Sequence, residues 1–175
     1  MDTFTPDQIQ IVNDAVAMSE EVVCNYYKMS ANQWLRHRYD VKTLADLDHT
    51  EIIHGPFAQI IRYKGRRKNT MLGSSTYDFY KICIQDHAIL AALKSSAELA
   101  LFPFTLYIIT HELVHIVRFA KFLTGFDASP DEKIKEESRV HEKTHEILHP
   151  LGVAGMESAF RFYRKWRNHT ENLII

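Results

Sequence analysis

The sequence predicts a helix-dominated α+β fold in one domain of 175 residues. Segments with apolar residues three and four positions apart fill the start and the second half of the chain. Two short runs rich in β-branched and aromatic residues lie between them, and no repeat, linker or biased stretch divides the chain. The expected layout is N-terminal helices over 1–50, a small antiparallel sheet over 51–86, and a helical region over 87–168.

Each element has a local cause. Thr5-Pro6-Asp7-Gln8 is a capping box with proline in the first turn, and Ile9, Val12, Val16, Val23 and Tyr27 follow at helical spacing, so a helix is expected over 6–29. Ser30–Gln33 repeats the capping signal for a short helix to Arg38, and 40–50 read as an acidic connector. The run 52–63, broken by Gly55-Pro56, and the run 77–84 predict two strands around the basic turn 64–68, which is read as a solvated hairpin tip. A helix over 88–100 comes next. Pro103 then opens a strongly apolar helix to about Leu123, ended by Gly125. Ser129-Pro130-Asp131-Glu132 caps another helix, stopped by Pro150 and Gly152, and an amphipathic helix over 154–168 closes the domain.

Composition removes several functions. Hydrophobic residues make up 46% and charged residues 25%, and 6 Gly with 5 Pro exclude a low-complexity chain. Lys and Arg total 21 against 22 Asp and Glu, so no chain-wide basic field exists and no nucleic-acid partner is expected. Cys24 and Cys83 form no CxxC and are expected to be buried thiols. The N-terminus lacks a secretory pattern, and the longest apolar stretch, 99–109, is short of the roughly 20 residues a membrane span needs. A cytoplasmic protein without a membrane partner is expected, its oligomeric state open.

The unusual count is histidine, at 10. In the 103–123 helix stands His111-Glu112-Leu113-Val114-His115. Two histidines four apart lie about 40° apart on one helix face and can chelate one metal, and the glutamate between them can take a proton from water beside it. Phe104, Ile108, His111, His115 and Phe122 share a sector, so both imidazoles sit on an apolar stripe where unpartnered nitrogens are costly. The short 124–129 loop sets the next helix antiparallel, level with the histidines near Glu137–His141 at about 1.5 Å per residue. Ile134, Val140, Ile147, Leu148 and Leu151 define that helix's apolar sector. Glu137 and His141 fall within it, while Glu142 and Glu146 lie on the charged face with Lys135, Arg139 and Lys143, and His145 at the border. Glu137 is the expected third ligand, and His141 its neighbour or an alternative ligand.

HELVH followed by a glutamate 22 positions after its second histidine resembles the gluzincin branch of the zincin metallopeptidases. The resemblance implies zinc, or another divalent metal, on His111, His115 and Glu137, with Glu112 as general base. It also implies a zincin-like domain over roughly 52–150 whose edge strand takes an extended peptide, so a peptide or protein is the expected substrate. Families of this type often place an aspartate four residues after the ligand glutamate; His141 stands there instead. Tyr77, His87 and Arg118 are candidate oxyanion donors, each with a plain reading as strand, cap or surface residue.

Four competing readings remain. Glu112/His115 and Glu142/His145 repeat the Glu-x-x-His of di-iron bundles, but too few residues separate them for an intervening carboxylate helix. The metal site is non-catalytic in the second, and the histidines are core residues without metal in the third. In the last, the basic, aromatic segment 160–167 serves as an interaction module. His37, His49, His54, His149 and His169 read as surface or loop residues.

Overall fold

A computed structural model describes residues 1–30, 32, 39–66, 76–121 and 123–167. Helix α1 (Pro6–Tyr27) starts at the Thr5/Gln8 capping box and ends at Lys28, whose φ of 52° is left-handed. It buries Val12, Ala15, Ser19 and Val23 and runs along the motif helix. There the Ser19 hydroxyl donates to the Leu106 carbonyl (3.4 Å) and receives the Thr110 hydroxyl (3.1 Å), so the polar groups in this seam are paired. The short helix expected to Arg38 lies outside the described residues.

Three strands follow, β1 (Tyr39–Lys42), β2 (Ala58–Arg66) and β3 (Thr76–Ile84), in the order β1-β3-β2. The β2–β3 pair is antiparallel, as expected, with Ala58 opposite Ile84 and Ile60 opposite Ile82. The sheet is mixed, however, because β1 joins β3 in parallel, with Tyr39 opposite Tyr80. The acidic connector expected at 40–50 thus begins with a strand, and 3-10 turns occupy Leu44–Asp46 and His49–Glu51. Tyr80, Ile82 and Ile84 face the core at every second position, as the pleat requires.

The 52–57 loop carries the Gly-Pro break, with Gly55 at φ 106°. Gln85, fully buried, anchors it: its backbone N–H donates to the Phe57 carbonyl (2.8 Å), its side-chain oxygen accepts from Ile53 N–H (3.1 Å), and its amide donates to the Glu51 carbonyl (3.0 Å). Glu51 itself receives Lys81 Nζ at 2.6 Å and the Tyr63 hydroxyl at 2.9 Å.

Helix α2 (Asp86–Ser95) leads to the motif helix α3 (Leu101–Ala120), which is buried on nearly every side. It ends at Ala120, short of Gly125, and Leu123 N–H closes the last turn on the Arg118 carbonyl five residues back. Phe126 folds back onto Phe119 at 5.2 Å and leaves Leu123 exposed. Phe122, expected on the histidine stripe, lies outside the described residues.

Helix α4 (Pro130–Leu148) begins at the Ser129/Glu132 capping box. Contacts pair Tyr107 with His141, His115 with Glu137 and Arg118 with Glu136, an order that makes α3 and α4 antiparallel. Val140, Ile147 and Leu148 are buried, whereas Ile134 and Leu151, expected on that face, are exposed. Gly152 (φ 60°) follows the Pro150 turn, and Gly155 (φ 79°) lets the chain approach Pro103, where an added Cβ would lie 3.1 Å from the proline ring. The expected single last helix is two, α5 (Met156–Phe162) and α6 (Arg164–Arg167), broken at the buried Tyr163. No described helix is long and apolar enough to cross a membrane. Cys83 is buried in β3 and Cys24 half-buried in α1, with no disulfide between them.

Candidate metal centre

Tyr107, His111 and His115 succeed one another at four-residue steps on α3, and Glu137 and His141 do the same on α4. Antiparallel packing turns the two rows toward each other. His111 Nε2 lies 2.9 Å from Glu137 Oε1, His115 Nε2 3.2 Å from Oε2, and His141 Nε2 3.3 Å from Oε1. His111 Nε2 and His115 Nε2 are 3.1 Å apart. Donor atoms of His111, Glu137 and His141 all fall within 4.8 Å of one another. The structure therefore brings His111, His115, Glu137 and His141 together, and does not separate Glu137 from His141 as the third donor.

Protons alone satisfy only part of this arrangement. Each imidazole must carry a proton on Nε2 to donate to Glu137, and two protonated Nε2 atoms 3.1 Å apart then repel. A cation between them removes the conflict, because deprotonated nitrogens and a carboxylate can all point their lone pairs at it. Metal–ligand bonds of about 2.0–2.1 Å put tetrahedral donors roughly 3.3 Å apart, close to these separations. Three imidazoles and a carboxylate are also a donor set zinc takes. The Tyr107 hydroxyl sits 2.9 Å from His141 Nδ1, leaving Nε2 as the atom turned to Glu137. His111 Nδ1, buried, has no hydrogen-bond partner among the described residues.

The electrostatics follow from burial and from Glu137. Burial opposes the charge on Glu137, but His111, His115 and His141 outweigh it and hold its carboxyl well below the usual range. Burial pushes His111 down to about 4 against the pull of Glu137. His115 is raised: burial works against it, but Glu137 and then Glu112 prevail. Glu112 is pushed up to about 7 by burial, opposed by His115 and helped by Glu137.

The cluster opens into a cavity of about 560 Å³. Its lining includes His111, Glu112, Glu137 and His141, the apolar Phe57, Ile108, Phe162 and Tyr163, and the cation Lys165. Glu137 keeps 41% of its side chain exposed, so its carboxylate is reachable from the cavity. Tyr163 stacks on Tyr107 at 4.3 Å, and burial, then Tyr107, Glu112 and Glu137, keep its phenol protonated. Neither tyrosine was among the expected site residues. Tyr107 was legible as the position four before His111, whereas Tyr163 carries no local signal.

Other candidates stand apart. Arg118 is held by the buried Glu136, which accepts from both Nε and Nη2, the latter at 3.0 Å. His87 packs against His54 at 5.5 Å and does not line the cavity. Tyr77 lies in β3, its side chain outside the described residues. Glu142 is exposed, and His145 packs against Phe160 at 4.5 Å. Phe160 and Tyr163 turn into the core, and Arg161 pairs with Glu98. His49, His54 and His149 are exposed; His37 and His169 lie outside the described residues.

No protein family matches this chain, and no curated protein or solved structure is similar to it. The likeness to gluzincins accordingly rests on His111, Glu112, His115 and Glu137 themselves.

Proposed function

We propose that this chain is a zinc-dependent hydrolase acting on a peptide bond. His111, His115 and Glu137 hold the metal, and Glu112 serves as general base. The observation that supports this reading is the convergence of three imidazole Nε2 atoms on the Glu137 carboxylate, which lines a cavity together with Glu112. Zinc at such a set supplies a Lewis acid and lowers the pKa of water towards about 7. Glu112 takes the proton of the attacking water and returns it to the leaving amine. Tyr107 orients His141 through Nδ1.

A second reading has one observation in its favour. His141 Nε2 lies 3.3 Å from Glu137 Oε1, and its donor falls within 4.8 Å of those of His111 and Glu137, so His141 can add a protein donor that closes the site. Closed sites are structural, and catalytic sites keep a position open. Metal content of the purified protein, measured by mass spectrometry with Glu137→Ala and His141→Ala, separates the two. The hydrolase reading expects one zinc per chain, lost in Glu137→Ala and kept in His141→Ala. Loss in both variants favours the closed site, and no metal in wild type after zinc is supplied ends both readings.

A further inference from the structure

The site just described leaves its substrate class open, and the cavity beside it speaks to that question. Resting on the reading above, we infer that the cavity holds one aromatic side chain of the substrate, at the residue next to the bond that is cut. The walls favour a ring over an aliphatic chain. Phe57 meets Phe162 at 5.8 Å, Phe162 meets Tyr163 edge-on at 5.1 Å, and Phe57 meets Tyr163 edge-on at 6.4 Å. An incoming ring continues this edge-to-face pattern and gains quadrupole attraction beyond its buried area.

The size fits as well. About 560 Å³ lies inside the range of ligand sites, roughly 300–1,000 Å³, with room for a ring and the backbone flanking it. The walls are set in advance. Gln85 N–H holds the Phe57 carbonyl at 2.8 Å, and Tyr163 is stacked on Tyr107 with an interplanar angle of 6°. Rigid walls keep the ordering entropy of binding low. Phe162 is 37% exposed, a large apolar side chain at the cavity that a bound ring covers. Glu112 lines the same cavity, which places the ring beside the proposed base rather than at a distant groove.

The probes are N-acetyl-phenylalaninamide, N-acetyl-leucinamide and N-acetyl-alaninamide, titrated by NMR into the protein with and without zinc. The phenylalanine amide binds at least tenfold more tightly than the alanine amide and about threefold more tightly than the leucine amide, in both metal states. Phe162→Ala brings its affinity down about tenfold, and Ala58→Trp, at the strand that borders the cavity, removes the preference. Thermal unfolding of both variants checks that they fold. Equal binding of the three probes, a preference for leucine, or a preference intact in both folded variants overturns the inference. Zinc content read on the same samples keeps the two ideas apart: preference without zinc binding sinks the hydrolase reading and leaves the cavity as an aromatic-binding site with no bond to cut beside it, and zinc binding without preference sinks this inference alone.

Discussion

Two histidine groups in this molecule are built on opposite terms. His111, His115 and His141 gather around one carboxylate, and each turns Nε2 to Glu137 within 3.3 Å. His87, edge-on to His54 at the start of α2, has both ring nitrogens buried without a hydrogen-bond partner among the described residues. Both groups bury imidazole, but only the first supplies an anion to compensate it. An unpaired buried nitrogen costs on the order of 1–3 kcal/mol, a cost that the His87 ring bears and the three Nε2 atoms around Glu137 avoid. The convergence on Glu137 is therefore the feature that asks for a function, and the His54–His87 pair is its internal control.

The comparison can be pressed at several strengths. The largest effect is expected from Glu112→Gln, which lowers peptide hydrolysis by roughly 10²–10⁴ while leaving zinc content at the wild-type value. Equal activity of variant and wild type removes Glu112 from the chemistry. Next, zinc at about a thousand times its dissociation constant raises the unfolding free energy by about 4 kcal/mol, read as a shift in Tm. His111→Ala abolishes that shift and His87→Leu retains it; a shift lost in both means that the two groups do not differ as argued.

The third effect is in pH. With metal removed, folded Glu112 holds a proton up to about 7 that an unfolded carboxyl releases near 4.5. Its contribution to stability is therefore present below about 4.5 and lost as pH rises through 7. Glu112→Gln escapes this loss: at pH 8 it unfolds about 1–3 kcal/mol later than wild type, at ~1.4 kcal/mol per pKa unit, with the gap gone at pH 4. A gap independent of pH points to packing instead of charge. Tyr107→Phe, which releases His141 Nδ1, leaves zinc affinity within about twofold under the three-ligand hydrolase reading and weakens it about tenfold under the closed site in which His141 is a ligand, read by competition with a chromogenic chelator. The smallest effect is in the control group, where His87→Leu stabilises by up to about 1 kcal/mol because both unpaired nitrogens disappear. Destabilisation there reveals a partner for His87.

What the sequence made readable is what has a local cause. The Thr5/Gln8 and Ser129/Glu132 capping boxes act within four residues, and both helices begin where those residues say. The expectation that Glu137 meets the histidines needed only the rise of a helix and a short loop. Strand β1 was not readable, since four residues show no alternation and its partner β3 begins more than thirty positions later. Helix α3 ends at Ala120, where Leu123 N–H closes on the Arg118 carbonyl, five residues before the glycine at 125 that the sequence offered as its stop. The same holds for the site. Its donors followed from two helical wheels, but Phe57, Phe162 and Tyr163 come from a loop, the end of a short helix and the break after it, which only the fold assembles around them.

One carboxylate far from the cavity governs how the chain can be handled. Asp86, at the first turn of α2, is buried and accepts Phe4 N–H at 3.0 Å and Leu44 N–H at 2.9 Å. It thereby clasps the N-terminal segment and the turn after β1 to the residue that follows Gln85, the anchor of the cavity loop. Residues before Phe4 are exposed and make a safe point for attaching a tag. Trimming through Phe4 removes a donor from a buried anion and loosens the scaffold on which Phe57 is hung, so an N-terminal deletion of only four residues should be felt at a pocket it never touches.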